Sequence, residues 1–346
     1  DSESVFEDNV ITVLKQHGWK DGVLRYPTER DLLDNWKGIL YRNNNDIDRL
    51  GKYPLTDGEM AQIIEQIETL RTPLALNSFV NGRTVSITRD NKEDVAHFGK
   101  EVSLYIYDRK EIAGGKSTYQ IAQQPVYPAK NKMLNSRRGD LVLLINGMPL
   151  IHIELKKSGI PVSQATNQIE KYAHEGVFTG LFRLVQIFVA MNPDDAVYFA
   201  NPGVDKFNPS YYFHWADYNN EPICGGQNPG KDEWKLFIGG TSGTAGLLSI
   251  PMAHQLIGFY TIADSADGCL KVLRSYQYIA ANAISDVVRK CDWEQRPATP
   301  GRPGGYVWHT TGSGKTMTSF KSAQLIADSH DADKVVFLMD RIELGK

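Results

Sequence analysis

The sequence has few cysteines, no long apolar run and no excess of positive charge, and each absence excludes a class of protein. Its 346 residues include three cysteines, Cys224, Cys269 and Cys291, without C-x-x-C spacing, so neither a disulfide framework nor a zinc knuckle is indicated. No stretch approaches the roughly 18 apolar residues of a membrane span, and the acidic start Asp1–Asn9 is unlike a signal peptide. We therefore expect a cytoplasmic protein with no membrane partner. A formal net charge of −3 means that any polyanion site is local.

What the sequence does contain is enough residues for about two globular domains. Hydrophobic residues make up 41% and charged residues 23%, which is ordinary globular usage. Apolar spacing predicts helices at 2–17, 57–69, 163–175 and 270–289, and strands at 102–107, 119–126 and 184–191. The Gly-rich loop Gly239–Gly246 marks a boundary near its middle. We predict a first domain at 1–243 and a second at 244–346.

A β-hairpin is predicted in the first domain. Two apolar runs, Asp140–Ile145 and Leu150–Lys156, flank an Asn-Gly turn signal. Along the second run, alternation places His152, Glu154 and Lys156 on one face and the apolar residues on the core face. One acid and one base therefore point to the same place.

The register of this hairpin decides whether a second acid joins them. A two-residue turn would pair Ile145 with Met148 and direct Asp140 towards the core. A three-residue loop or bulge would pair Ile145 with Pro149 and set Asp140 opposite Glu154. Because proline has no N–H to give to a regular ladder, we predict the second arrangement.

Two carboxylates beside a lysine have the chemistry that phosphodiester hydrolysis needs. Asp140 and Glu154 would bind one or two Mg²⁺ ions, which activate water, while Lys156 would polarise or orient the nucleophile. Charges on the surface of a strand show the same spacing, so a surface without activity is the alternative.

Further polar residues surround this hairpin in the sequence. Gln168 and Tyr172 lie four apart on the next helix, where they would contact a DNA backbone or orient Lys156; a plain polar face is the alternative. Glu7 in the first helix is a third acid that would line the metal site. Basic residues predict a local phosphate-binding patch, although a solvated face has the same composition. They are Lys130, Lys132, Arg137, Arg138 and Lys157.

The second domain carries a phosphate-binding motif, His309–Thr316. It has the Gly-Lys-Thr end of a Walker A loop, with His309 where the strict pattern has its first glycine. Its glycines let backbone N–H groups curl around phosphate oxygens, its lysine would reach the β and γ phosphates of ATP, and its threonine would hold Mg²⁺. The predicted nucleotide-binding residues are Gly312, Ser313, Gly314, Lys315 and Thr316.

The elements predicted around this loop are a strand at 306–308, a helix from about 314 to 328 and a strand at 334–339. This order opens a parallel α/β domain. One such unit cannot complete a sheet covered on both faces, so we expect the sequence to be a fragment of a longer protein. Upstream, the amide of Gln277 would read an adenine edge, with simple solvent exposure as the alternative.

Seven short segments occur in the order known from one protein family. They are Ser2–Glu7, Gly147–Lys157, Asn167–Tyr172, Tyr198–Asn201, Arg274–Gln277, Gly304–Thr316 and Asp340–Arg341. Through them the sequence resembles the N-terminal part of the motor (R) subunit of type I restriction enzymes. The resemblance implies an α/β protein: a PD-(D/E)xK nuclease-like mixed sheet flanked by helices, followed by a partial RecA-like parallel α/β motor lobe.

The resemblance also implies roles for residues of the first domain. Asp140, Glu154 and Lys156 match the nuclease triad of the family. Gln168 and Tyr172 match its Q-x-x-x-Y element.

Further roles concern the first helix and the second domain. Glu7 matches the N-terminal acid, Gln277 the adenine-reading glutamine, and Lys315 with Thr316 motif I of the motor. The Walker B acid, the arginine fingers and the second lobe would lie beyond Lys346. The fragment alone would bind nucleotide weakly and would not turn over ATP.

The family implies ATP-driven translocation along double-stranded DNA and Mg²⁺-dependent cleavage in the full complex. It also implies methyltransferase (M) and specificity (S) subunits as partners, in a bacterial or archaeal cytoplasm. Two alternatives remain open at this point. One is a type III restriction or helicase-like repair protein with the same phosphate loop, and the other is a non-catalytic assembly and DNA-binding module.

Overall fold

The computed structural model describes residues 2–112, 114–128, 137–226, 230–290 and 305–338. They fall into two compact units, Asp1–Val272 and Leu273–Lys346. The segment 244–272, which the sequence analysis assigns to the second domain, thus belongs to the first compact unit, and the assignment of functional domains stays a prediction. Lys130, Lys132, Gly304, Met339, Asp340 and Arg341 lie outside the described residues.

The first unit alternates helices and strands. In chain order they are α1 (Glu3–Gln16), β1 (Val23–Arg25), α2 (Glu29–Asn43), α3 (Asp57–Thr69), α4 (Pro73–Asn81), β2 (Thr84–Thr88), β3 (Glu101–Tyr105), β4 (Tyr119–Gln123), β5 (Leu141–Ile145), β6 (Met148–Leu155), α5 (Val162–His174), a 3₁₀ helix (Gly180–Leu184), β7 (Ile187–Met191), β8 (Ala196–Ala200), a second 3₁₀ helix (Pro209–Tyr211), α6 (Glu233–Gly239), α7 (Met252–Phe259), β9 (Thr261–Asp264) and β10 (Cys269–Val272). In the described part of the chain, no helix has both the length and the apolarity needed to cross a bilayer.

Within the described residues, a six-stranded mixed sheet forms the centre of this unit, in the order β1-β4-β5-β6-β7-β8. The β1–β4 and β6–β7 pairs are parallel, and the other neighbours are antiparallel. Two antiparallel pairs, β2 with β3 and β9 with β10, stand apart from it. The predicted strand at 102–107 is therefore present as β3, but it does not belong to the main sheet.

The helices that flank the sheet follow from the apolar spacing of the sequence. In α1, Ser2 caps the first turn by accepting a hydrogen bond from the Val5 N–H, and an apolar stripe of the helix is buried, as predicted. Helix α5 packs on β6 and β7. Its Ala165 and Ile169 are fully buried in a cluster with Phe188. The central strands β5 and β6 are buried along their whole length, with both faces covered.

The hairpin of β5 and β6 differs from the predicted one at its turn. Asn146 and Gly147 have positive φ angles of 52° and 85°, as a two-residue type I′ turn requires. Ile145 pairs with Met148 rather than with Pro149. The predicted three-residue turn is therefore wrong, because the Asn-Gly pair supplies the left-handed conformations that the shorter turn needs.

A bulge farther along the hairpin still places Asp140 and Glu154 opposite each other. The register between β5 and β6 shifts by one residue inside the hairpin, just beyond the pair that contains Pro149. Past this irregularity Leu141 pairs with Ile153, so the next residues outward, Asp140 and Glu154, lie opposite each other. A two-residue turn and this register exclude each other in a regular ladder, and the bulge allows both.

The second unit contains two helices among its described residues, α8 (Ser275–Lys290) and α9 (Lys315–Ser329), which pack on each other. The long helix predicted from 270 begins later than expected, because Cys269–Val272 pairs with β9 as a strand. Helix α9 agrees closely with the predicted one.

The strands predicted on both sides of the phosphate loop are not found. The described residues at 305–309 and 333–338 form no strand, although the apolar runs within 306–308 and 334–339 predict one on each side of the loop. A strand forms when neighbouring strands satisfy its backbone groups, and the described residues of this unit include no such neighbour. Val336 and Leu338 are accordingly 86% and 98% exposed. The described residues of this unit do not form the predicted parallel sheet.

Candidate active site

Asp140 lies at the start of β5, where backbone contacts fix its position. Its carbonyl accepts a hydrogen bond from the Gln124 N–H at 2.7 Å. Its Oδ2 accepts one from the Leu155 N–H, also at 2.7 Å. The second bond crosses from β5 to the end of β6 and holds the carboxylate next to Glu154.

Glu154 and Lys156 end the neighbouring strand on the same face. The Lys156 Nζ lies 3.4 Å from Glu154 Oε1 and donates to the Leu155 carbonyl at 2.9 Å. The Lys156 backbone N–H donates to the Met191 carbonyl of β7, so the lysine is tied to two strands. The structure thus brings together the three predicted side chains at one end of the sheet.

Desolvation disfavours the charged forms of both carboxylates, and the charge of Glu154 adds to this effect at Asp140. Burial and the charge of Glu154 raise the pKa of Asp140 well above its usual range. Burial raises the pKa of Glu154 to about 7, although the neighbouring Lys156 ammonium acts in the opposite direction. When both acids are ionised, their charge exceeds that of the single ammonium, and a bound cation would compensate the excess.

The donor set fits Mg²⁺ better than a metal held mainly by protein ligands. Within the described ranges, no group of three or more His, Cys, Asp or Glu side chains is arranged to hold a metal. Mg²⁺ is commonly bound through one or two carboxylates and completes its shell with water and substrate phosphate oxygens. Asp140 and Glu154 supply that number of carboxylates.

A buried histidine supports Glu154 from behind. The ring Nε2 of His152 lies 3.3 Å from Glu154 Oε2, and its Nδ1 lies 2.8 Å from the Tyr127 hydroxyl. Desolvation lowers the pKa of His152 to about 4, so the ring is neutral and can donate from Nε2 while it accepts at Nδ1. The alternation of β6 predicts that His152 lies on this face but indicates no role for it, and no sequence pattern points to Tyr127.

Gln168 and Tyr172 lie on one face of α5, as their spacing predicts. The Gln168 amide donates to the Tyr172 hydroxyl at 2.6 Å, and this hydroxyl donates to the Arg138 carbonyl at 2.9 Å. Burial and the charge of Glu154 raise the pKa of Tyr172. Within the described residues, neither side chain donates a hydrogen bond to Lys156 or accepts one from it, so their orienting the lysine stays a prediction.

Glu7 reaches the site only through an intermediate residue. Its carboxylate is buried and accepts amide hydrogen bonds from Gln123 at 2.6 Å and from Gln124 at 3.2 Å. Burial raises the pKa of Glu7. Gln124 in turn contacts Asp140 through its backbone. The two amides occupy the Glu7 carboxylate, and its role as a metal ligand stays a prediction.

In the second unit, the segment predicted as a phosphate loop is a turn that leads directly into α9. Gly312 and Gly314 have φ angles of 76° and 83°, the left-handed conformations that glycine adopts most easily. Lys315 is the first residue of α9, and Lys315 and Thr316 are exposed. The Ser313 hydroxyl donates to the Thr310 carbonyl at 2.7 Å. This backbone can present N–H groups and a helix N-terminus to an anion.

Gln277 holds this loop at its glycine-lysine junction. Its Oε1 accepts from the Arg274 N–H at 3.0 Å, and its Nε2 donates to the Gly314 carbonyl at 3.2 Å. The neighbouring Tyr276 hydroxyl donates to the Ser313 carbonyl at 2.8 Å. Gln277 is 5% exposed, so the alternative of simple solvent exposure is wrong.

The fold is a mixed sheet flanked by helices, and the polar site lies at one end of this sheet. This combination is consistent with the class of nuclease-like domains. Residues 2–207 match the family described as type I restriction enzyme R protein N terminus. This match covers more than half of the chain, and the chain belongs to that family. Residues 276–346 match the SWI2/SNF2 ATPase family.

Relatives agree with this assignment. The chain is 31% identical over 351 residues to a type I restriction enzyme endonuclease subunit of Staphylococcus saprophyticus, and 32% identical over 345 residues to one of Staphylococcus aureus. Each alignment covers 99% of this chain and 32% of the relative. The EcoprrI endonuclease subunit of Escherichia coli is 29% identical over 217 residues, which is 61% of this chain and 62% of the relative.

The chain therefore spans about a third of the length of its staphylococcal relatives. The predicted resemblance to type I restriction subunits is confirmed. The alternative of a type III or helicase-like repair protein is not supported, because the named relatives are type I subunits.

Proposed function

We propose that this chain contributes the nuclease site and the nucleotide-binding loop of a type I restriction endonuclease subunit. The observation that carries the proposal is the meeting of Asp140, Glu154 and Lys156 at one end of the sheet, in a unit that matches the restriction-subunit family. The reaction is hydrolysis of a DNA phosphodiester bond.

Asp140 and Glu154 would hold Mg²⁺, which supplies Lewis acidity and a more acidic bound water when present. Lys156 places its ammonium beside Glu154, where it stabilises the negative charge that develops on the reacting phosphate. His152 keeps the Glu154 carboxylate in orientation from the buried side. Hydrogen bonding from the Leu155 N–H does the same for Asp140.

The second unit would supply ATP binding. Lys315 and Thr316 would contact the β and γ phosphates and their Mg²⁺, and Gln277 would face the adenine. In the whole subunit, ATP hydrolysis would drive translocation along double-stranded DNA before cleavage. Methyltransferase and specificity subunits would complete the complex in a bacterial or archaeal cytoplasm.

The decisive experiment measures cleavage of a plasmid by the reconstituted complex with Mg²⁺ and ATP. We expect Asp140→Ala and Lys156→Ala to lower the cleavage rate at least a thousandfold, because each removes charge from the reacting centre. Val5→Ala, an exposed change on α1, is the control and should cut normally. Unchanged cutting by both site variants would instead support the non-catalytic module.

A further inference from the structure

A cleft of about 440 Å³ opens along the outer face of α5. Five of its lining residues lie on this helix at spacings of three or four, so they share one face. The described lining holds two cations, three amides and one phenol, and it includes no carboxylate. The lining residues are Arg137, Gln164, Asn167, Gln168, Lys171 and Tyr172.

One wall of the cleft is shared with the candidate active site. The Tyr172 ring lies 6.3 Å from the His152 ring, centroid to centroid, and His152 contacts Glu154. The charges of Glu154 and Asp140 also act on the Tyr172 hydroxyl. A chain of phosphates that crosses the carboxylate pair can therefore continue into this cleft.

A carboxylate at the rim holds both cations of the cleft. The Arg137 guanidinium donates two hydrogen bonds to Glu175, each at 2.9 Å. The Lys171 Nζ lies 3.9 Å from the same carboxylate. Arginine commonly binds phosphate through the same bidentate geometry. The Arg137 and Glu175 side chains are 43% and 25% exposed, so the pair is accessible to solvent, and a phosphate oxygen can compete with Glu175 for the guanidinium.

We propose that this cleft binds the phosphodiester backbone of the DNA strand next to the bond that is cut. Arg137 leaves Glu175 and pairs with a phosphate oxygen. The side-chain amides of Gln164 and Asn167 form no hydrogen bond within the described residues, and they donate to the same DNA backbone. The proposal rests on the proposed nuclease function, and it assigns DNA positioning to residues that do not touch the reacting atoms.

Two opposite substitutions test it in the 346-residue chain. Binding of a fluorescent DNA duplex is measured by anisotropy across a salt series, with Ca²⁺ in place of Mg²⁺ to prevent cleavage. We expect Arg137→Gln to weaken binding about tenfold and to lower the slope of log K against log salt by about 0.9, the value for one lost phosphate contact. Glu175→Gln should tighten binding, because it releases both cations and removes a repelling charge.

Matched controls separate this role from a structural one. Arg30 is also an exposed arginine in ion pairs, with Asp34 and Asp57, and Arg30→Gln should leave both affinity and slope unchanged. Arg137→Lys should keep most of the slope, since it keeps the charge. A purely structural ion pair predicts that Arg137→Gln and Glu175→Gln change binding in the same direction, and that result would overturn the proposal.

The cleft and the nuclease site can fail independently. If Asp140→Ala abolishes cleavage while Arg137→Gln leaves affinity and salt slope intact, the cleft proposal is wrong and the nuclease assignment stands. If Arg137→Gln weakens binding as expected but Asp140→Ala still cuts DNA, the cleft proposal stands and the hydrolytic site lies elsewhere.

Discussion

The two compact units form their candidate sites in different ways. In the first unit, Asp140 and Glu154 are separated in sequence by a whole hairpin and meet because β5 and β6 pair in a bulged register. In the second unit, the phosphate loop is a run of consecutive residues, and its shape depends on the positive φ angles of Gly312 and Gly314. The candidate nuclease site therefore depends on tertiary structure, whereas the candidate phosphate loop depends mainly on local backbone conformation.

The units also differ in how they treat apolar and charged residues. In the first, β6 is buried along its whole length, Glu154 included. In the second, apolar residues such as Val336 and Leu338 are exposed. Asp286 there has its pKa lowered by Lys290 and Arg289, while Glu154 has its pKa raised by burial. This contrast predicts measurable differences between the two units.

Removing apolar volume should affect the two units very differently. Ile151 is fully buried in β6, between its partners on β5 and β7. Ile151→Ala leaves a cavity in the central sheet and should lower the free energy of unfolding by about 2–5 kcal/mol. Val336→Ala removes a side chain that is 86% exposed and should change it by less than about 0.5 kcal/mol.

Hydrogen–deuterium exchange read by mass spectrometry measures both changes in stability, because it reports the opening of each segment separately. Faster exchange across the six-stranded sheet in Ile151→Ala, with unchanged exchange in α8 and α9, is the expected pattern. Equal effects of the two substitutions would contradict the contrast in packing. A strong effect of Val336→Ala would mean that this residue is packed in solution.

The contrast also explains what the sequence could predict. Helices α1, α5 and α9 and the phosphate loop follow from apolar spacing and local motifs, and the structure has them close to their predicted positions. The alternation along β6 placed Glu154 with Lys156 correctly. These features depend on neighbouring residues in the chain, which sequence patterns report well.

The remainder depends on contacts between distant segments. The position of the bulge could not be derived, because a two-residue turn fits Asn146-Gly147 whether or not the strands slip afterwards. Tyr127, which follows β4 in the chain, contacts His152 of β6, and no sequence pattern predicts this contact. The strands expected around the phosphate loop failed for the opposite reason: their pattern is present, but the described residues supply no partner strand.

The charge state of Glu154 offers a second way to separate the units. Its pKa of about 7 in the folded protein lies above its ordinary value of 4.5. The resulting contribution to stability is complete below pH 4.5 and is lost as the pH rises through 7. Glu154→Gln stays neutral, so without metal at pH 8 it should be more stable than the parent protein, by about 1.4 kcal/mol for each pKa unit and up to about 3 kcal/mol.

Urea unfolding between pH 5 and 8, in EDTA and again in Mg²⁺, measures this effect. Mg²⁺ should stabilise the parent protein and reduce the advantage of the variant, because a ligand that binds only the folded state stabilises it. His152 loses its contribution only on acidification below 6.5, so it does not disturb the comparison at pH 8. Asp286→Asn is the control in the second unit and should gain nothing. A Glu154→Gln protein less stable than its parent at pH 8 in EDTA would refute the argument.

The smallest expected effect concerns Gln277, which contacts the phosphate loop and is predicted to distinguish ATP from GTP. Gln277 uses one amide hydrogen on the Gly314 carbonyl, which leaves a second amide hydrogen and an oxygen lone pair for an adenine edge. Gln277→Ala should therefore weaken ATP binding about tenfold and GTP binding about threefold, since one hydrogen bond contributes about 0.5–1.5 kcal/mol and only ATP loses two kinds of contact. Isothermal titration with both nucleotides measures the difference, with Lys334→Ala, outside the loop, as the control. Equal losses for ATP and GTP would show that Gln277 shapes the loop without reading the base, and the second unit would then recognise phosphate alone.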